Sequence, residues 1–234
     1  AVVYVGGADA VLTIKGETRI TGNFGIGNGG IIQNYGQGTT VNMEGGSIDN
    51  NHVGKSGTLY ASYSGNANKI NTFNMSGGII TQNIMEGYGP VYIHTNTVWN
   101  MTGGEISENI SFLPSYVRSN GNKGTISGGK IVNNEITGTS YSNGYYATRP
   151  DIFLGANSKI TGGTFTQDVS QWCAEGFKVE KNADGTYGVK EGVFVAHIGN
   201  VGYEDLNDAF AAAVNGDVVE IDVAGTYALK TSGK

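Results

Sequence analysis

Apolar residues in the first 168 positions stand singly or alternate with polar residues, and they do not recur at the three- and four-residue spacing of an amphipathic helix. One pattern returns throughout this stretch: an apolar residue, a polar residue, Gly-Gly, a spacer, an apolar residue, two further residues and then Asn or Asp. Five copies begin at Met43, Met75, Met101, Ile126 and Ile160, and a degenerate copy, one residue longer, begins at Ile14. Strands this short cannot bury a face alone, so the pattern predicts coils that stack on one another.

The intervals between the copies differ in length, which favours a β-solenoid whose coils share a fixed core and vary in their loops. We therefore predict an all-β fold, a right-handed parallel β-helix of about six coils. Each coil should hold three short strands, which in the second coil are residues 30–34, 40–43 and 47–50. The Gly-Gly pair between the last two strands should form a sharp corner, because glycine adopts a positive φ without a steric penalty.

Stacking of the copies places equivalent residues in columns along the coil axis. Two apolar columns should point into the core: Ile14, Met43, Met75, Met101, Ile126 and Ile160 form one, and Ile20, Ile48, Ile80, Ile106, Ile131 and Phe165 form the other. A polar column at the next corner consists of Asn23, Asn51, Asn83, Asn109, Asn134 and Asp168. Stacked amides can satisfy the backbone groups of a turn, so this column predicts a structural ladder and not an active site.

The pattern changes after residue 168. Residues 178–181 and 186–189 predict a β-hairpin with Asp184 and Gly185 in its turn, which should cap the exposed end of the solenoid. Residues 203–214 predict an amphipathic helix, and a turn and a strand follow it. The chain therefore divides into coils (1–168), a terminating segment with the hairpin cap (169–190) and a short α/β tail (191–234), which we expect to open a further, truncated module.

Composition agrees with short strands and tight turns, since there are 39 glycines against 3 prolines and 15% of the residues are charged. The net charge of −6 and the few basic residues argue against a nucleic-acid footprint. No apolar run reaches the length of a membrane span, and the chain starts inside a strand-like segment without a signal peptide or an anchor. We therefore expect a monomeric module of a longer secreted protein. Cys173 is single, which excludes an internal disulfide and predicts a buried structural thiol.

The segments Gly89-Pro90-Val91-Tyr92-Ile93 and Trp99-Asn100-Met101-Thr102-Gly103-Gly104 resemble the β-helical repeat of large, adhesin-like surface proteins of Gram-positive gut bacteria. The resemblance covers about residues 1–168, the segment after Ile160 resembles the terminator of such repeats, and the tail resembles the entry helix of the next one. It implies a parallel β-helix on the bacterial cell surface. It also implies adhesion or binding, with host proteins, immunoglobulins among them, as ligands, although a shared fold does not name a ligand.

Parallel β-helices also carry polysaccharide lyases and hydrolases, which need a basic residue with Ca²⁺-binding acids or a pair of carboxylates on one outer face. Here no acid pair stacks in register, since Glu105 has Ile79 and Lys130 at the equivalent positions of the neighbouring coils. We predict no catalytic residue, no metal-ligand cluster and no cofactor, while an isolated Ca²⁺ at a loop stays open.

The segments after each Asn are rich in Tyr, Ser, Gly and Asn, which adaptable recognition loops use. All of them should leave the solenoid at one corner and line one edge of it. The candidate ligand-binding residues are His52, Tyr88, Phe112, Tyr116, Tyr141, Tyr145 and Tyr146. The alternative interpretation is solvated loops whose rings lie flat against the coils.

Three functions follow in order of preference. The first is a non-catalytic binding or adhesion module that recognises a host protein, such as an immunoglobulin, or a glycan through these aromatic loops. The second is a structural spacer with no ligand of its own, and the third is a polysaccharide lyase or hydrolase. The sequence leaves the choice between a glycan and a protein ligand open.

Overall fold

The computed structural model describes residues 1–25, 30–54, 58–117, 123–138, 151–199 and 201–230. In it, the described residues up to Phe165 form a parallel β-solenoid with three sheets, here named A, B and C. Successive strands of each sheet come from successive coils, and all the pairs between them are parallel. The predicted all-β, parallel solenoid is confirmed.

The strands of each sheet are as follows. Sheet A contains Val3–Val5, Ile32–Asn34, Tyr60–Ser62, Val91–Ile93, Ser115–Val117 and Ile152–Phe153. Sheet B contains Val11–Ile14, Arg19–Thr21, Thr40–Asp49, Asn71–Thr81, Thr97–Met101, Glu105–Ser107, Lys123–Val132 and Lys159–Phe165. Sheet C contains Phe24–Gly25, His52–Val53, Ile84–Met85, Ile110–Ser111 and Glu135–Ile136.

The interior of the solenoid is one apolar cluster that extends from the first coil to the last. The first predicted column is in register throughout, from Ile14 through the three methionines to Ile160, and its members are at most 3% exposed. The second column is buried from Ile48 to Phe165, while Ile20 at the end of the stack is half-buried. Both predicted core columns are therefore confirmed, and each fully buried side chain contributes about 1.5–3 kcal/mol.

The Gly-Gly pairs do not separate two sheets, so the predicted corner is wrong. In the second and third coils the strands Thr40–Asp49 and Asn71–Thr81 pass through the pair without a break, and the pairing register shifts beside it. The second glycine of each pair has a positive φ, as at Gly78 (79°) and Gly104 (82°). The pair therefore forms a bulge that bends the strand within sheet B.

The corner of each coil lies one residue before the Asn of the ladder. Asn50, Gln82, Glu108 and Asn133 have left-handed backbones there, with φ between 53° and 56°. The two residues after each Asn are strands of sheet C and not loops, so the three strands of the second coil are Ile32–Asn34, Thr40–Asp49 and His52–Val53.

Past Phe165 the chain leaves the solenoid through the 3₁₀ helix Ser170–Trp172, and the hairpin follows. Its strands Phe177–Lys181 and Tyr187–Glu191 are antiparallel, and the second of them also pairs antiparallel with Lys159–Phe165. The hairpin therefore covers the last edge of sheet B, as the sequence predicted.

The tail forms a three-stranded antiparallel sheet of Ala196–Ile198, Val201–Tyr203 and Val219–Ile221, which packs against the helix Leu206–Ala212. The helix is shorter than the predicted 203–214. The Asp205 carboxylate caps its first turn by accepting a hydrogen bond from the Asn207 N–H (2.7 Å), and Ala213 is already extended. The division of the chain at residues 168 and 190 stays a prediction.

Five of the six predicted ladder residues form a continuous row of side-chain amide hydrogen bonds. From Asn23 to Asn109, the Nδ2 of each Asn donates to the Oδ1 of the Asn one coil later, at 2.8–2.9 Å. Each Oδ1 also accepts the backbone N–H of the Asn one coil earlier. Because Asn51, Asn83 and Asn109 are at most 1% exposed, these bonds are made away from water.

Asp168 is not the sixth residue of this ladder, so that prediction is wrong. Its side chain is exposed and accepts a hydrogen bond from the Ser170 N–H (2.8 Å), because the chain leaves the coil here and starts the 3₁₀ helix. The carboxylate beside Asn134 is that of Asp151, which is 5% exposed. Burial raises the pKa of Asp151 against the opposing hydrogen bonds of Thr166 and Asn134, and Oδ2 has no partner among the described residues.

We expect Asp151→Asn to stabilise the protein by about 1–2 kcal/mol at pH 7, because a neutral amide replaces a buried carboxylate that is only partly paired. A raised pKa means that the folded chain loses stability as the pH rises from the ordinary carboxyl pKa of about 4 through the folded value. The gain should therefore disappear at about pH 3, where the carboxyl is protonated in both states. Urea unfolding of both proteins at the two pH values measures it, and an equal gain at both would contradict this explanation.

Candidate binding surface

The structure distributes the predicted ligand-binding residues over different faces. His52 lies in sheet C, where its ring contacts that of Phe24 edge to face at 5.1 Å. Phe112 directly follows a strand of sheet C and is 41% exposed. Tyr88 lies before a strand of sheet A and stacks on Tyr92, with 4.1 Å between the ring centroids.

Tyr116 belongs to the sheet A strand Ser115–Val117, in register with Tyr92. Tyr141, Tyr145 and Tyr146 lie outside the described residues. The expectation that the candidate residues lie in loops at one edge is wrong for His52, which is in a strand of sheet C, and for Tyr116, which is in a strand of sheet A. Tyr88 and Phe112 lie in equivalent segments that connect a sheet C strand to the next sheet A strand.

A different set of aromatic side chains comes together at the end of sheet A. Tyr35, Tyr63 and His94 each directly follow a sheet A strand, in the second, third and fourth coils, and the strand residues before them are in register. The ring centroids of Tyr35 and Tyr63 are 6.2 Å apart, and those of Tyr63 and His94 are 5.3 Å apart. The three rings therefore form a row along the coil axis.

The row continues at both ends. The Tyr92 ring lies 5.7 Å from that of His94, and Tyr88 stacks on Tyr92. At the other end, Tyr4 belongs to the sheet A strand of the first coil, one coil before Tyr35, and pairs in register with Gln33. Burial raises the pKa of Tyr35, and the Tyr4 hydroxyl adds to that shift. We call this set the aromatic ridge; its members are Tyr4, Tyr35, Tyr63, His94, Tyr92 and Tyr88. Tyr4 is 62% exposed, Tyr63 40% and Tyr35 39%, so the ridge presents ring surface to solvent over the first four coils.

Backbone hydrogen bonds hold the ridge in place. The N–H groups of Tyr35, Tyr63 and His94 donate to carbonyls of the preceding coil at 2.9–3.2 Å, so the parallel ladder continues past the ends of the strands. This keeps consecutive rings one coil apart, about 4.8 Å along the axis. The sequence carries a signal for the ridge, an aromatic residue directly after the sheet A strand in three successive coils. That signal becomes visible only when the register of the coils is known.

The turns beside the ridge are polar and carry balanced charge. Asn66 Nδ2 donates to Gln37 Oε1 (3.3 Å), and both groups are at the surface. Lys69 Nζ donates to both carboxylate oxygens of Asp9, at 2.7 and 2.8 Å. Apart from His94, Asp9 and Lys69 are the acidic and basic side chains of these turns, which comprise residues 6–10, 35–39, 63–70 and 94–96. The two charges neutralise each other.

A second exposed strip lies on sheet C. Phe24, His52, Ile84 and Ile110 are in register there, and Phe24 is 69% exposed. The strip is mixed, with one phenyl ring, one imidazole and two aliphatic side chains. Phe24 therefore offers an exposed aromatic residue on another face, against which substitutions in the ridge can be compared.

Other chemistry is sparse on the described part of the chain. Glu105 pairs in register with Ile79 and Lys130, as the sequence predicted. Across the described ranges, no group of three or more His, Cys, Asp or Glu residues could hold a metal ion.

Burial raises the pKa of the Cys173 thiol to about 11, with a smaller contribution from Asp168, so the thiol is protonated at neutral pH. No helix within the described residues is both long enough and apolar enough to cross a membrane.

Comparisons with protein-family models, with curated proteins and with solved structures found no significant match.

Proposed function

We propose that this chain is a non-catalytic binding module of a bacterial cell-surface protein and that it recognises a host protein or a glycan through the aromatic ridge. The observation that supports the proposal is the row of partly exposed rings that crosses four coils. Tyrosine combines a large, rigid apolar surface with a polar group and loses little conformational freedom on binding, which suits it to recognition.

A purely structural role explains the ridge less well. Tyr35 and Tyr63 keep 39% and 40% of their surface exposed, although the same chain buries Tyr60 almost completely inside the solenoid. A spacer needs the core columns and the Asn ladder, and it does not need rings at its surface. The placement on the surface of a Gram-positive bacterium rests on the resemblance of the repeat, which also suggests immunoglobulins among the host ligands.

The first experiment is a comparison of the immobilised chain with a Tyr35→Ser/Tyr63→Ser variant. Both are exposed to purified human immunoglobulin and to a printed array of glycans. We expect the chain to bind at least one of these ligands and the variant to lose at least nine-tenths of that binding. The residues are exposed, so the variant should keep the circular dichroism spectrum and the unfolding midpoint of the parent.

The matched control is Phe24→Ser, which removes an exposed ring from sheet C and should bind like the parent. Equal binding by the parent and the ridge variant would remove the proposed site. A chain that retains neither immunoglobulin nor any glycan would support the spacer function instead.

A further inference from the structure

The geometry of the aromatic ridge also favours one class of ligand, an inference that rests on the proposed function. Tyr35, Tyr63 and His94 occupy the same position in three consecutive coils. The ring positions therefore repeat along the coil axis with centroid distances of 6.2 and 5.3 Å, while the planes of successive rings are turned against each other by 76° and 62°. A row of regularly spaced rings is matched best by a repeating ligand, whose successive units each meet one ring of the row.

The charges around the ridge restrict the class of ligand further. Asp9 and Lys69 hold each other at 2.7 and 2.8 Å, which leaves no unpaired charge among the described turn residues on this side of the ridge. Recognition of an acidic polymer would require free Lys or Arg side chains. The side-chain amides of Gln37 and Asn66 beside the ridge are uncharged and exposed, and they hydrogen-bond to each other at 3.3 Å.

We propose that the ridge binds a linear, neutral polysaccharide whose chain lies parallel to the coil axis. Because the Tyr35 and Tyr63 rings stand at 76° to each other, successive sugar units contact them in different orientations, as the units of a chain that twists along its length do. The amides of Gln37 and Asn66 exchange hydrogen bonds with sugar hydroxyls. An apolar ring face combined with adjacent neutral donors and acceptors is the chemistry that a pyranose presents. Since the ridge extends over four coils, affinity should increase with the length of the sugar chain until the row of rings is covered.

Affinity electrophoresis in gels that contain one soluble polysaccharide each tests the proposal. The panel consists of a β-glucan, a galactomannan, a xylan and, as the acidic control, polygalacturonate. We expect at least one neutral polymer to retard the parent chain and polygalacturonate to leave it unretarded. Tyr63→Ala should weaken the binding about tenfold or more, since it removes the central ring of the row. Tyr63→Phe, which keeps the ring, should retain most of the affinity, and Phe24→Ala should change nothing.

Oligosaccharides of increasing length from the retarding polymer, measured by calorimetry, test the orientation. We expect affinity to increase from the disaccharide to about the hexasaccharide. Full affinity already at the disaccharide would overturn the lengthwise placement.

The outcomes separate this proposal from the proposed function. Retardation by polygalacturonate alone, or by no polymer, overturns the neutral-glycan proposal. Where immunoglobulin is nevertheless bound and Tyr63→Ala abolishes that binding, the ridge is still a binding surface and only its ligand class is wrong. Neutral polymers that retard the parent and the Tyr63→Ala variant equally would show binding elsewhere on the chain and overturn the site.

Discussion

Replacing Asn83 with alanine should destabilise the protein by about 3–5 kcal/mol, since it removes a fully buried residue from the middle of the ladder. Its Nδ2 donates to the carbonyls of Ile48 (2.9 Å) and Thr81 (2.8 Å) and to Asn109 Oδ1 (2.8 Å). Its Oδ1 accepts the backbone and side-chain N–H groups of Asn51 at 3.0 and 2.9 Å. Alanine removes all of these hydrogen bonds and takes away the acceptor of the buried Asn51 backbone N–H, whereas Asn51 Nδ2 keeps the carbonyls of Ile20 and Asp49. Each group left unsatisfied costs about 1–3 kcal/mol.

Asn23→Ala is the matched control because Asn23 stands at the outer end of the same ladder. It donates to Asn51 Oδ1 at 2.9 Å but is half-buried, so water can replace the lost side chain. We expect a cost of about 1 kcal/mol there. Urea unfolding followed by circular dichroism gives both values. Equal costs at positions 83 and 23 would show that burial of the amides does not determine the strength of the ladder.

The core residues of the solenoid could be predicted from the sequence because the pattern that marks them lies within a few residues of each Gly-Gly pair. Each coil places an apolar residue at a fixed distance from Gly-Gly, so alignment of the copies gives the columns that start at Ile14 and Ile20 without knowledge of the fold. The same alignment gives the Asn ladder as far as Asn134. Stacking in parallel register then converts each column of the alignment into a column in space.

The corners were harder to predict because each coil from the second to the fifth contains two left-handed residues, one in the Gly-Gly pair and one directly before the Asn of the ladder. The positive φ of Gly104 can be expected from its residue type, whereas the positive φ of Glu108 in the same coil cannot. The first bends a strand and the second ends it, although only the first has the residue type expected at a corner. The strands of sheet C, such as His52–Val53, are two residues long and show no alternation, so they could not be distinguished from loops.

The aromatic ridge, apart from Tyr88, and the position of Asp151 could not be predicted for a different reason. Both depend on which residues from separate coils become neighbours, and the loops of variable length conceal that correspondence in the sequence. The side chain beside the last Asn of the ladder comes from the start of a sheet A strand and not from the last copy of the repeat, so no alignment of the repeats would place it there. Tyr35 and Tyr63 lie in turns of unequal length, so they align only when the sheet A strands before them are known.

The second large effect on stability should come from Gly103→Ala, which we expect to lower the free energy of unfolding by about 3 kcal/mol. A Cβ at this position would lie less than 3.0 Å from the backbone carbonyl oxygen of Ser76 in the preceding coil. The first glycines of the neighbouring pairs, Gly77, Gly128 and Gly162, face a carbonyl of the preceding coil in the same way. The backbone of Ser76 cannot move aside without separating the coils, so the strain extends to the ladder hydrogen bonds between them.

Gly65→Ala separates this steric effect from the general effect of removing a glycine. Its nearest neighbour would be the Tyr63 hydroxyl oxygen at 3.7 Å, an ordinary van der Waals distance, and its φ is not positive. We expect this variant to be unchanged or to gain about 0.5 kcal/mol, because alanine restricts the unfolded chain. Thermal and urea unfolding of the two variants should therefore give changes of opposite sign or very different size. Similar losses at positions 103 and 65 would mean that the close approach of the coils does not explain the first glycine of each pair.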